Sequence, residues 1–161
     1  TRHLIAAMPK HFAGFRPVAV QRTGVLGTTG VESAEAVRGL VEQVQPSMVI
    51  AVDALASRRV GRVCATVQLS DTGIIPGSGV GNVRAAIDRT TLGVPVLAIG
   101  VPTVMDLGGR RMKDGTIPAG MILTPRDIDA KIKLLGRWIG LGIDLALHEG
   151  LDVETAESFL A

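Results

Sequence analysis

The sequence predicts an α/β fold, a mainly parallel α/β sandwich, on three observations. Two short apolar runs rich in Val and Ile, MVIAV at 48–52 and VPVLAIGV at 94–101, read as buried strands. Segments with apolar residues at helical spacing alternate with them, and turns rich in Gly, Pro, Asp and Thr separate the two kinds. At 161 residues the chain is long enough for one α/β domain, residues 1–161, with a substantial core.

Each element follows from local pattern. Residues 1–12 read as the end of a helix, and PVAVQ at 17–21 as a short strand. Residues 24–30 form a loop with Thr29 near a helix start. From there Val31, Ala34, Val37, Leu40, Val41 and Val44 fall on one helical face, and Pro46 ends the run. Met48 to Val52 is a strand buried on both faces. Val60 to Leu69 is a half-buried second strand, with Arg62, Thr66 and Gln68 pointing outward. Residues 71–82 are a loop, 83–91 a short helix, and 94–101 a third strand with Pro102 just beyond it. Residues 106–120 are a glycine-rich, charged surface excursion. Thr124-Pro125-Arg126-Asp127 has the form of a helix start, with Thr as N-cap and Pro first inside. That helix runs to about His148 on a stripe of Ile128, Ile132, Leu135, Ile139 and Ile143, widened by Trp138 and Leu145. Gly136, Gly140 and Gly142 leave room for close packing. The tail after Gly150 is acidic and belongs at the surface.

Composition narrows the function. A formal net charge of +2 argues against a dedicated nucleic-acid binder. The single Cys64 excludes an intrachain disulfide, reads as a small buried hydrophobe within its strand, and fits a reducing intracellular compartment. No secretory signal and no 18-residue apolar span is apparent, so neither export nor a membrane is expected. The chain opens at Thr1 without Met and reads as a fragment or a processed product.

The chemistry concentrates between Val49 and Asn82. Asp53 ends the MVIAV strand, where open α/β sheets place their reactive groups. An ionised carboxylate there is costly unless paired or solvated. It is either the partner of Arg58, a cap for the following turn, or a general base or acid with a tuned pKa. The loop with Gly77, Ser78, Gly79, Gly81 and Asn82 lacks the third glycine of a dinucleotide fingerprint and the Gly-Lys-Ser/Thr of a phosphate loop. It is either a structural turn or the wall of a substrate cleft wide enough for a polypeptide. Asp71 and Asp106 stand at strand ends as turn caps or as second carboxylates near Asp53, and Asp144 as a polar-face helix residue. Arg58, Arg59 and Arg62 form a solvated rim or a substrate or phosphate contact. His3, His11 and His148 share no metal-ligand spacing, and Ser57 and Ser78 have no base nearby in sequence.

These residues carry a resemblance. TRHL at 1–4, FRPVAV at 15–20, GVLGTTGVES at 24–33, AVDALASR at 51–58, SDTGIIPGSGVGN at 70–82 and LGVPVLAIGVPTVMD at 92–106 resemble the germination protease family. LTPRDID at 123–129 and ALHE at 146–149 match its C-terminal region, so the likeness spans nearly the whole chain. The resemblance implies an atypical aspartic endopeptidase, made as a zymogen, that degrades small acid-soluble spore proteins in the spore core. It implies a three-layer α/β sandwich of the phosphorylase/hydrolase-like kind, related to hydrogenase maturation proteases. It also implies a homo-oligomer, with no cofactor, no metal and no direct contact with nucleic acid or membrane. One of the family's two important aspartates lands on Asp53. Ser57, Arg58 and the Gly77–Asn82 loop become the expected substrate contacts. The other aspartate lies upstream of TRHL, so a chain starting at Thr1 is expected to lack its N-terminal strand and pro-region, to hold half the dyad and to have little or no activity. Two departures stand out: Ile75 replaces a family histidine, and the 106–123 segment is short. The alternatives are a metal-assisted maturation-type peptidase and a partial, non-catalytic α/β module.

Overall fold

A computed structural model describes residues 2–78, 84–108, 111–112, 115–117 and 120–159. The elements in chain order are α1 (Arg2–Ala7), α2 (Leu26–Thr29), α3 (Ser33–Val44), β1 (Val49–Ser57), β2 (Gln68–Ser70), α4 (Arg89–Leu92), β3 (Val96–Asp106), β4 (Arg111–Met112), β5 (Gly115–Thr116), β6 (Ile122–Leu123), α5 (Ile128–Leu147) and α6 (Val153–Phe159). A 3₁₀ turn at Val60–Arg62 follows β1. The chain divides into two compact units, residues 21–128 and residues 1–20 with 129–161.

The sheet lies in the first unit and is built around β3. β1 runs parallel to β3 along its whole length, from Val49 opposite Val96 to Ser57 opposite Met105. β2 pairs antiparallel with Ala98, Ile99 and Gly100, and β6 antiparallel with Met105 and Asp106. The fold is therefore α/β with a mixed sheet whose long pair is parallel. Both apolar runs are longer strands than their hydropathy shows. β1 continues through the polar Asp53 to Ser57, and β3 passes through Pro102 to Asp106, because the ladder between them satisfies the backbone whatever the side chain. Pro102 has no N–H for such a ladder. The register slips there, with Leu55 opposite Pro102 and Ala56 opposite Val104, a bulge of the kind that accommodates proline.

One face of this sheet is covered by α3 and α4. Ala34, Val37 and Val41 of α3 pack with Leu92, Ile87, Val49, Ala51 and Val96. The predicted helix from Val31 begins at Ser33 and ends on Gln45, which takes a left-handed conformation (φ 50°) before Pro46. The predicted helix at 83–91 shrinks to α4, fixed by a reciprocal cap: Asp88 Oδ1 accepts the Thr91 N–H at 2.8 Å, and Thr91 Oγ1 accepts the Asp88 N–H at 3.1 Å. A second cluster joins Met105, Leu107 and Ile117 with Val63, so the 106–120 excursion buries part of itself.

Three expectations change. PVAVQ forms no strand, and Val20 is exposed. The 60–69 segment is a strand only at 68–70. Local bonds from Arg62 to Arg59 and from Val63 to Val60 coil its first half. Cys64 turns left-handed (φ 53°) and is half-buried in a turn, its N–H donating to Pro102 O at 2.7 Å. Thr124 does not cap α5; its hydroxyl donates to Thr103 O at 3.2 Å, and the helix starts at Ile128.

In the second unit α5 has no fully buried residue: of the predicted stripe, Ile132 is exposed, as is Trp138. Its C-terminal end is tied down at His148, which is buried, stacks on Phe15 at 4.4 Å and accepts the Arg16 N–H at Nδ1 over 3.2 Å. The tail expected at the surface forms α6, capped by Asp152 and anchored by the buried Ala156.

Candidate active site

Rows of register partners on one sheet face repeat every second residue. Val49–Val96 and Ala51–Ala98–Ser70 are two such rows, and Val49, Ala51 and Val96 lie against the α3 cluster. The next row on that face is Asp53–Gly100–Gln68. Asp53 thus stands in the middle of β1, not at its end, one row past the helix-covered core. It is half-buried. Its Oδ1 accepts the Ala54 N–H at 2.8 Å. Desolvation by burial lifts its carboxyl above the ordinary value of 3.8, against the opposing pull of the Ala54 N–H and the positive charge of Arg84.

Gly100 makes room in this row for the Leu55 side chain. A Cβ on Gly100 would strike the side chain of Leu55, whose Cγ would lie 2.7 Å away. Leu55 therefore lies across the glycine and floors the space between Asp53 and Gln68. The glycine loop starts from a backbone clamp. Ile74 and Ile87 exchange N–H to O bonds of 3.0 and 2.8 Å, closing the base of the glycine loop. Inside the clamp Gly77 has φ 73° and the Ser78 N–H donates to Ile75 O at 3.2 Å. Gly79, Gly81 and Asn82 lie outside the described residues.

The remaining candidates separate. Arg58 does not pair with Asp53; its Nε faces Asp106 Oδ2 at 3.6 Å, while Asp106 Oδ1 accepts the Gly108 N–H at 2.8 Å. Ser57 lies four residues along β1, about 13 Å from Asp53 at the strand rise. Its hydroxyl brackets Arg59, accepting the Arg59 N–H at 3.0 Å and donating to Arg59 O at 3.1 Å. Asp106 sits opposite Ile122 and beyond the Ser57–Met105 pair, too far along the sheet to share a proton with Asp53. Asp71 is exposed beyond β2, and Ser70 holds the turn it was expected to cap, accepting the Thr72 N–H. Among the described residues no three His, Cys, Asp or Glu side chains group as metal ligands. Sequence reasoning missed Gln68 and Arg84. Gln68 is visible only through its register, and Arg84 only as the second residue after the glycine loop's end.

Residues 1–117 match the family model described as germination protease. The chain belongs to the germination protease family. Germination proteases of Bacillus cereus (strain AH187), Bacillus thuringiensis subsp. konkukian (strain 97-27) and Bacillus anthracis are each 47% identical to it over 138 residues. Those alignments cover 76% of this chain and 38% of each relative, so the chain spans under two-fifths of their length. The matched stretch of this germination protease family member contains the whole Asp53–Gly100–Gln68 row, the Ile74–Ile87 clamp and the Arg58–Asp106 pair. All of α5 and α6 lies beyond the family match.

Proposed function

We propose that this protein is an endopeptidase that hydrolyses peptide bonds in small acid-soluble spore proteins, with Asp53 as one of two carboxylates that activate water. The observation that carries the reading is the half-buried Asp53 carboxyl one row past the helix-covered core, its pKa raised by burial. A raised pKa makes its carboxylate a stronger base toward water. Two carboxylates close together share one proton, so the protonated member polarises the peptide carbonyl while the ionised one takes the proton of water. Membership of a family named for proteolysis supports the reaction class. Substrate contacts from Arg58 and the glycine loop, self-association, residence in the spore core and a three-layer sandwich akin to hydrogenase maturation proteases belong to the same reading.

The test is cleavage of an acid-soluble spore protein by the full-length gene product and by its Asp53→Asn variant. The variant is expected to fold and to lose at least about 10³-fold in kcat, the scale seen when an essential acid–base group is removed. Turnover by Asp53→Asn within a few-fold of the parent would remove Asp53 from the mechanism.

A further inference from the structure

We infer that the side-chain amide of Gln68 holds the scissile carbonyl oxygen opposite Asp53, acting as the oxyanion donor of this site. The inference rests on the peptidase reading above and adds a catalytic residue to it. Asp53, Gly100 and Gln68 are register partners across three adjacent strands, so the Asp53 and Gln68 side chains rise from the same face. Gly100 between them contributes no side chain, and the floor above it is the apolar Leu55. Gln68 is exposed, and its amide forms no hydrogen bond with the described residues.

The span fits the reaction. Two strand spacings separate Asp53 and Gln68 by about 9.6 Å. A carboxylate-to-water hydrogen bond of about 2.8 Å, an attack distance of about 3.2 Å, a carbonyl of about 1.2 Å and an N–H to O bond of about 2.9 Å span at most about 10 Å between carboxylate and amide, within reach of two side chains whose backbones stand that far apart. A peptide group lying over Leu55 therefore meets the base on one side and a donor on the other. The water oxygen bonds to the carbonyl carbon as its proton passes to Asp53, and the carbonyl electron pair moves onto oxygen facing Gln68 Nε2–H. Collapse breaks the C–N bond, and the departing amine takes the proton. The glycine loop is a poorer source at Ser78, whose backbone N–H is already given to Ile75 O.

The experiment measures kcat and KM for full-length parent, Gln68→Ala, Gln68→Glu and Asp53→Asn on a peptide from an acid-soluble spore protein, with melting temperatures for each. Gln68→Ala should lose about 10²- to 10³-fold in kcat with KM within about threefold. Gln68→Glu, nearly isosteric, should be as impaired at neutral pH, where its carboxylate repels the oxyanion. Measured as a ratio to the parent at each pH, since both lose the ionised Asp53 base in acid, its kcat should recover as pH falls and the new carboxyl becomes a donor, a profile that a packing role does not produce. A Gln68→Ala kcat within threefold of parent, a loss confined to KM, or a Gln68→Glu profile parallel to parent would each overturn the assignment. If Asp53→Asn is inactive in that case, the peptidase reading stands without Gln68; if Asp53→Asn is fully active, both fall.

Discussion

Replacing Gly73 by alanine tests the clamp that closes the base of the glycine loop. Gly73 sits at φ +83°, and a Cβ there would strike Ile87 O and lie 2.6 Å from Asp88 Cβ and 2.8 Å from Asp88 Cα. Two of these three neighbours are backbone atoms, which cannot rotate away. Relief requires parting the Ile74–Ile87 bridge, with its two bonds of 3.0 and 2.8 Å. Each such bond contributes about 1 kcal/mol net. The left-handed conformation costs alanine a further ~1 to 2 kcal/mol, partly offset by the lower entropy of the unfolded chain. The expected loss is about 3 kcal/mol. Gly93→Ala is the internal control, because Gly93 has φ +72° and open space around its Cβ position. It carries the conformational term alone, about 1 kcal/mol. Urea unfolding followed by circular dichroism measures both. With a slope of about 2 kcal/mol/M, the Gly73→Ala midpoint should fall by about 1.5 M and that of Gly93→Ala by about 0.5 M. Equal shifts for the two variants would refute the claim that backbone contact at Ile87 and Asp88 makes Gly73 obligatory.

Two further outcomes follow from the site's electrostatics. Because burial raises the Asp53 pKa in the folded state, its favourable contribution is complete below the unfolded value of 3.8 and is lost as pH rises through the folded pKa. Asp53→Asn should therefore melt higher than the parent at pH 7, with the gap closing as pH falls through the raised folded pKa and gone below 3.8; a gap independent of pH would contradict the burial argument. Arg58→Ala should change stability by less than about 1 kcal/mol, since the Arg58 side chain is 83% exposed against 27% for Asp106. Asp106→Ala should cost about 1 kcal/mol more, through the lost Gly108 N–H bond beside the Met105–Leu107 cluster, and a melt series that ranks them the other way would move the weight to the ion pair.

Much of the fold was legible because its signals are local. The i, i+3, i+7 pattern of Ala34, Val37 and Val41 located α3, and Val/Ile runs located β1 and β3. Asp53 was legible as a carboxylate that an apolar strand does not explain. The boundaries were not. Backbone pairing between β1 and β3 carried both strands past the polar or proline residues that hydropathy reads as ends. The 60–69 segment failed as a strand because turn bonds within it and a left-handed Cys64 competed with the ladder. PVAVQ has strand-like residues but takes no strand conformation, because β propensity alone does not build a ladder.

The sequence by itself determined the α/β class, the helices with an amphipathic face, the acid in the first long strand and the motif set that marks the germination protease family. Only the tertiary structure decided which side chains share a row. Register set Asp53 beside Gly100 and Gln68, sent Arg58 to Asp106, and brought the charge of Arg84 to bear on Asp53. These are pairings between distant segments, fixed by hydrogen-bond ladders and side-chain packing. No periodicity within a single segment encodes them.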